Sequence, residues 1–145
     1  MNNTPAAKPA VMFVCVKNGG KSQMAAALAR LHAGDTLEIH SAGTAPTPGG
    51  TINALSAESV AELGASMAGE IPKPMDPALT ARMDRIVLVG TEAQLDPALE
   101  LRHPAVVWEI DEPSLRGIDG EERMRLVRDD IDRRVLALIE ELTQH

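Results

Sequence analysis

The chain holds one cysteine, Cys15, and it opens the run Cys15-Val16-Lys17-Asn18-Gly19-Gly20-Lys21-Ser22. As a thiolate, cysteine is a strong nucleophile, so the chemistry on offer is attack on an electrophilic centre. The apolar residues before Cys15 read as a strand. The alanine-rich stretch after it, Gln23 to Ala29, reads as a helix that begins at about Lys21. A strand, a tight turn and a helix N-terminus in that order aim backbone N–H groups at one point. The amides of Val16, Lys17, Asn18, Gly19, Gly20 and Lys21 would form that nest, and a tetrahedral oxyanion is the ligand it fits. Gly19 and Gly20 let the main chain approach closely and take positive φ where the turn requires it. Lys21 in the first helical turn stands unfavourably against the positive helix end unless an anion is bound there.

The plainer alternatives are equally concrete. Cysteine buries readily and can simply end a core strand. Lys17 can be a solvated rim lysine. Asn18 either orients the loop through side-chain hydrogen bonds or is only a turn residue. Ser22 can be the N-cap of the helix that follows.

The elements that must position this loop follow from periodicity. Four segments read as strands: Ala10 to Cys15, Leu37 to Ser41, Arg85 to Val89 and Ala105 to Ile110. The first is apolar throughout, as in a strand covered on both faces. Leu37 to Ser41 alternates, as expected nearer an edge. Helical patterns fall between them. Ser22 to Ala33 stops near Gly34. Ile52, Leu55, Ser59, Val60 and Leu63 share a face before Gly64. Asp76-Pro77 reads as an N-cap and first helical residue. Met124, Val127, Ile131, Val135, Leu138 and Leu142 line one side of a long final helix. The arginines between them, interleaved with Asp and Glu, read as a salt-linked solvated face.

This alternation predicts an α/β fold, a doubly wound four-stranded parallel sheet with helices on both faces. Residues 1–9 read as a flexible N-terminal tail and 10–145 as a single domain. In such sheets ligands bind beyond the carboxyl ends of the strands. Cys15 lies at one such end, and the segment Trp108 to Pro113 leaves another.

Bulk properties exclude several classes. A chain of 145 residues with 44% apolar content suits one soluble domain. No apolar run suits a signal peptide or a membrane span. A lone cysteine and no export signal lead us to expect the cytoplasm. The net charge of −7 argues against nucleic acid as a partner. Phe13 and Trp108 are the only aromatic residues, too few for a base-stacking platform. His32, His40, His103 and His145 are scattered without ligand spacing, so no metal is expected.

The loop resembles the cysteine, five residues, arginine, serine loop of low-molecular-weight protein tyrosine phosphatases and their arsenate reductase relatives. Ser41-Ala42-Gly43-Thr44 looks like that superfamily's second motif, and Glu112-Pro113 stands where its general-acid loop falls. Two departures narrow the match: Lys21 replaces the usual arginine, and the acid before the proline is Glu112 with Asp111 beside it. The lysine, the Asn-Gly-Gly-Lys-Ser run and Gln-Met-Ala-Ala-Ala are similar to the arsenate-mycothiol transferases of actinobacteria, which use mycothiol and a mycoredoxin.

The resemblance implies roles. Cys15 is the nucleophile. Lys21 neutralises arsenate, and Ser22 donates to the sulfur as it attacks and leaves. Glu112, or Asp111, protonates the leaving oxygen; a solvated acidic loop is the alternative. Ser41 and Thr44 brace the loop. No cofactor is bound, and mycothiol acts as thiol co-substrate. Thioredoxin-coupled relatives need two further cysteines, which this sequence lacks. The readings are then three: a mycothiol-dependent arsenate reductase, a low-molecular-weight phosphatase, or a non-catalytic oxyanion-binding domain.

Overall fold

The structure, a computed structural model, describes residues 7–144. Ala10–Cys15 forms strand β1, and its unbroken apolar character is explained by its place. It is an inner strand of a four-stranded sheet with order β2-β1-β3-β4. Strands β2 (Glu38–Gly43), β3 (Arg85–Val89) and β4 (Val106–Trp108) run parallel to it. Side chains of β1 part alternately to the two faces. Val11 and Phe13 join a core with Met24, Leu28, Val127 and Ile131. Met12 and Val14 join a second core with Met83, Ile86, Leu88 and Ala93.

Helices α1 (Lys21–Ala33), α2 (Ala54–Ala61) and α4 (Gly120–Thr143) supply the first core. The short helix α3 (Pro77–Ala81) and the segment 93–105 cover the other face. The expected residues of α4, Met124, Val127, Ile131, Val135 and Leu138, are its buried stripe. Phe13 and Trp108 meet on the α4 side with ring centroids 5.8 Å apart and planes tilted by 51°. Such a pair adds about 1 kcal/mol beyond the area it buries. It ties β4, the far edge of the sheet, to the centre.

Several expectations are adjusted. Strand β2 runs to Gly43, two residues past the expected Ser41, because Ala42 and Gly43 pair with Val14 and Cys15 at the end of β1. Strand β4 is reduced to three residues, and Val106 and Val107 are exposed there, as an outer strand allows. Helix α2 ends at Ala61, leaving Leu63 39% exposed; Gly64, at φ +94°, turns the chain away as expected. Asp76 caps α3 by accepting from the Ala78 N–H at 3.0 Å. Most of the expected tail lies outside the described residues, but Pro9 is tied to β2, its carbonyl accepting from Glu38 N–H at 2.9 Å. No helix among the described residues is long and apolar enough to cross a membrane.

The order of strands sets the position of the site. The chain leaves β1 through α1 to β2 on one side, then crosses to β3 on the other. Between the carboxyl ends of β1 and β3 lies the topological switch point, where doubly wound sheets open a crevice. Cys15 ends β1 at that crevice.

Candidate active site

The loop after β1 is held by its carbonyl groups. Cys15 C=O accepts from Thr44 N–H at 3.0 Å, and Val16 C=O from Ala45 N–H at 2.8 Å. On the other side Gly19 C=O accepts from Asn53 N–H at 2.8 Å, at the entrance to α2. With the carbonyls engaged outward, the peptide planes turn their N–H groups inward. Among the described residues, the amides of Lys17, Gly19 and Gly20 have no protein acceptor. Those of Lys21 and Ser22 are first-turn amides of α1, which a helix leaves open. Of the amides expected to form a nest, those of Lys17, Gly19, Gly20 and Lys21 are open, while that of Asn18 donates to Cys15 Sγ.

Asn18 is the hub of the loop. It is fully buried and stands at φ +56°, the one non-glycine residue at positive φ among those described. The sequence reading gave that role to Gly19 and Gly20, and neither takes it. The conformation is held by the Asn18 side chain. Its Oδ1 accepts from Gln23 Nε2 and from Lys73 N–H, each at 3.0 Å. Those two donors fix the amide orientation, so Nδ2 points to Ser22 Oγ, at 2.8 Å. The Asn18 main-chain N–H in turn donates to Cys15 Sγ at 3.2 Å.

Ser22 Oγ is 2.8 Å from Cys15 Sγ. Ser22 is not the helix cap: Gly20 holds that position and no side chain caps the helix. Its hydroxyl is directed at sulfur instead, as the functional reading required. Gly43 is required by a close approach. A Cβ there would lie 2.7 Å from Val16 O and 3.0 Å from Asn18 Cβ.

The two expected bracing residues reach the loop by different routes. Thr44 acts through its main-chain N–H. Ser41 is buried and accepts from Lys73 Nζ at 3.1 Å, reaching the loop only through Lys73. Lys73 and Gln23 were missed in the sequence. Lys73 lies 55 residues from Asn18, beyond any local signal. Its ammonium is pushed below the usual lysine range, chiefly by burial. Gln23 follows Ser22 directly and is fully buried, a polar residue in an alanine-rich turn, which was the available clue.

Lys21 extends across the crevice. Its Cδ and Nζ lie 3.7 and 3.5 Å from the point where a Cβ on Gly90 would stand, just past β3. Lys17 is exposed. Lys17, Gly19, Gly20 and Lys21 form one wall of a cavity of about 310 Å³, whose floor includes Met24, Met124 and Val127 and whose rim includes Arg123.

The two candidate acids are both ion-paired. Arg123 grips Glu112 with two hydrogen bonds, Nε–Oε1 at 2.8 Å and Nη2–Oε2 at 3.1 Å, and Ser114 Oγ donates to Oε1 at 2.8 Å. The Arg123 hydrogen bonds, foremost, hold the Glu112 carboxyl at about 2, and the Lys21 charge adds to this. Asp111 is held below the usual carboxylate range by its hydrogen bonds from Arg116. In this arrangement both are carboxylates, and neither carries a proton to donate. An acid role for Glu112 requires Arg123 to release it first.

The arginines of α4 are therefore not simply a solvated face. Arg123 claims the acid loop. Arg128, only 8% exposed, donates to Ser59 O at 2.9 Å and to Glu62 Oε1 at 2.7 Å. Buried Asp130 accepts from Asp111 N–H at 2.8 Å and so anchors the same acid loop to α4. His32 and His40 pair with Asp132 and Glu38; His145 lies outside the described residues. Among the described residues no three His, Cys, Asp or Glu groups gather as metal ligands would.

Comparison with known proteins places this geometry. The family model for low molecular weight phosphotyrosine protein phosphatase matches residues 10–145. An arsenate reductase of Halalkalibacterium halodurans is 28% identical over 137 residues, covering 92% of this chain and 96% of that protein. The crystal structure of arsenate reductase from Archaeoglobus fulgidus is 28% identical with a TM-score of 0.69, covering 89% of this chain and 98% of that one. A thioredoxin-dependent arsenate reductase of Corynebacterium glutamicum is 26% identical with a TM-score of 0.69. The match covers 94% of this chain but spans only 62% of that longer one.

Proposed function

The chain belongs to the low molecular weight phosphotyrosine protein phosphatase family, and within it we propose that this protein is an arsenate reductase that passes arsenic to an external thiol. The observation that carries the reading is Cys15 itself. It is the one cysteine of the 145 residues, set in an amide nest with the Asn18 N–H donating to its sulfur and Ser22 Oγ 2.8 Å from it. Relatives named as arsenate reductases cover nearly the whole chain.

The chemistry balances without a second protein thiol. The Cys15 thiolate attacks As(V), an S–As bond forms, an As–OH bond breaks, and that hydroxyl leaves as water with a proton taken from solvent. The amides of the loop and Lys21 hold the charged oxygens as they redistribute. The thiolate of an external thiol then attacks arsenic. Its S–As bond forms, the Cys15–As bond breaks, and Cys15 returns unchanged. A redoxin thiolate attacks the sulfur of the released adduct. The electron pair of that S–As bond leaves with arsenic as arsenite, and the two sulfurs remain as a mixed disulfide. Mycothiol and a mycoredoxin are the thiol and redoxin that the Lys21-containing loop suggests, and the cytoplasm is the compartment where they would be reduced.

A phosphatase is the competing reading, supported by the family itself. The lack of an aromatic side chain to flank an aryl group disfavours it, since Phe13 and Trp108, the two aromatic residues of the chain, are both buried in the core. The deciding experiment supplies arsenate with mycothiol and mycoredoxin, with glutathione, or with thioredoxin and its reductase, and measures arsenite. We expect turnover with mycothiol and mycoredoxin and none with thioredoxin alone. Efficient turnover on thioredoxin as sole thiol source would overturn the external-thiol mechanism. Aryl phosphate hydrolysis faster than any arsenate turnover would assign the chain to phosphatase chemistry.

A further inference from the structure

The crevice holds a carboxylate that neither the loop nor the acid segment accounts for. Glu92 follows β3 by three residues and is exposed. Its Oε2 stands 2.7 Å from the point where a Cβ on Gly90 would lie, and Lys21 Nζ stands 3.5 Å from the same point. Gly90 is at φ +106°; a side chain there would be strained and would evict Glu92. The register brings Gly90 to the Cys15 end of the β1–β3 ladder. Val14 pairs with Leu88 in the β1–β3 ladder, so two residues further on Gly90 comes level with Val16, next to Cys15. Lys21 Nζ and Glu92 Oε2 both lie close to this Gly90 position. They flank one spot at the switch point, one cation and one anion.

The charged and main-chain groups of the loop that face the oxyanion donate hydrogen bonds. The loop amides and the Lys21 ammonium supply hydrogens, while the Ser22 hydroxyl is engaged with Cys15 Sγ. A free tetrahedral oxyanion such as hydrogen arsenate or hydrogen phosphate carries an O–H at neutral pH, and that O–H needs an acceptor. Left without one inside a site, it forfeits a hydrogen bond to water. A fully deprotonated oxyanion has no such hydrogen and would bring a charged oxygen against a carboxylate. A carboxylate beside these donors therefore discriminates by adding an attraction for one anion and a repulsion for the other.

The geometry points to Glu92 as a specificity-determining residue: its carboxylate accepts the hydrogen of a protonated oxyanion and repels oxyanions that carry none, sulfate and phosphate monoester dianions among them. This rests on the reading of the Cys15–Ser22 loop as an oxyanion site. It also supplies a reason why the site would favour free arsenate over an aryl phosphate.

The test uses Cys15 as its own reporter. As the one thiol of the chain, its alkylation by iodoacetamide is read directly, without arsenite production or any reductant. Protection is titrated with arsenate, phosphate and sulfate for wild type, Glu92→Gln and Glu92→Ala. In wild type, arsenate and phosphate should protect at far lower concentration than sulfate. In both variants the preference for phosphate over sulfate should fall about tenfold or more, the scale of one hydrogen bond to a charged acceptor. An unchanged preference, with phosphate still protecting, would overturn the role of Glu92 and leave the oxyanion loop standing. Failure of every oxyanion to protect wild-type Cys15 would overturn both. Glu92 is exposed, so neither variant removes a packed side chain.

Discussion

Ser22 Oγ stands 2.8 Å from Cys15 Sγ while accepting a 2.8 Å hydrogen bond from Asn18 Nδ2. An amide NH₂ only donates, so the serine hydrogen is free for the sulfur, and a Cys15 thiolate can only accept it. Together with the Asn18 main-chain N–H, two donors converge on the atom that must first attack and then depart.

Replacing Ser22 by Ala should therefore slow turnover by roughly ten- to a hundredfold, the range of a hydrogen bond to a charged partner. Binding of arsenate should change far less, because the amide nest remains. Single-turnover rates set beside equilibrium protection of Cys15 separate the two. An equal loss in both would mean that Ser22 shapes the loop and does not assist sulfur.

Asn18 tests whether the hub holds the loop by conformation or by hydrogen bonds. Gly at this position keeps φ +56° accessible and loses the side-chain bonds; Ala loses both. Asn18→Gly should cost about 1–3 kcal/mol of unfolding free energy for the buried bonds lost, and Asn18→Ala about 1 kcal/mol more. Urea unfolding of the two variants gives the order. Gly more damaging than Ala would contradict it.

Gly43→Ala should disable the site at a distance from it. The added methyl would stand 2.7 Å from Val16 O, a backbone atom that has nowhere to yield. Displacement of the loop after Cys15 should reduce activity more than stability. Activity retained at the wild-type level, with the crystal structure showing an unshifted loop, would refute this.

The Glu112–Arg123 pair predicts a pH dependence of stability. The folded-state value of Glu112, about 2, lies below its ordinary 4.5. A depressed carboxyl stabilises the fold fully above its unfolded value, and the contribution disappears as pH falls from about 4.5 towards 2. Glu38 and Glu62, held at about 2 principally by hydrogen bonds from Arg82 and Arg125, add to the loss in the same window. Glu112→Gln should flatten the acid limb of the unfolding midpoint against pH. If Glu112 also serves as proton donor once Arg123 releases it, the same variant should lower kcat without changing arsenate protection of Cys15. An unchanged kcat would assign Glu112 to the structure of the loop alone.

What the linear chain determined was local. The apolar run to Cys15, the Gly-Gly turn and the alanine-rich start of α1 specify strand, loop and helix through periodicity and backbone preference, and they place the nucleophile. The stripe of α4 and the Asp76-Pro77 cap were readable for the same reason. What only the tertiary structure decided was which polar atoms meet. Positive φ went to Asn18, not to a glycine, because Gln23 and a lysine 55 residues away hold its side chain. Glu112 became a paired carboxylate because Arg123, on α4, reaches the acid loop. Glu92 came to face Lys21 because β3 lies beside β1 in the sheet, a neighbour relation that no spacing along the chain encodes. Hydrogen-bond direction and strand order depend on contacts between distant segments, so the loop could be found in the sequence, but its charge pattern is a property of the folded sheet.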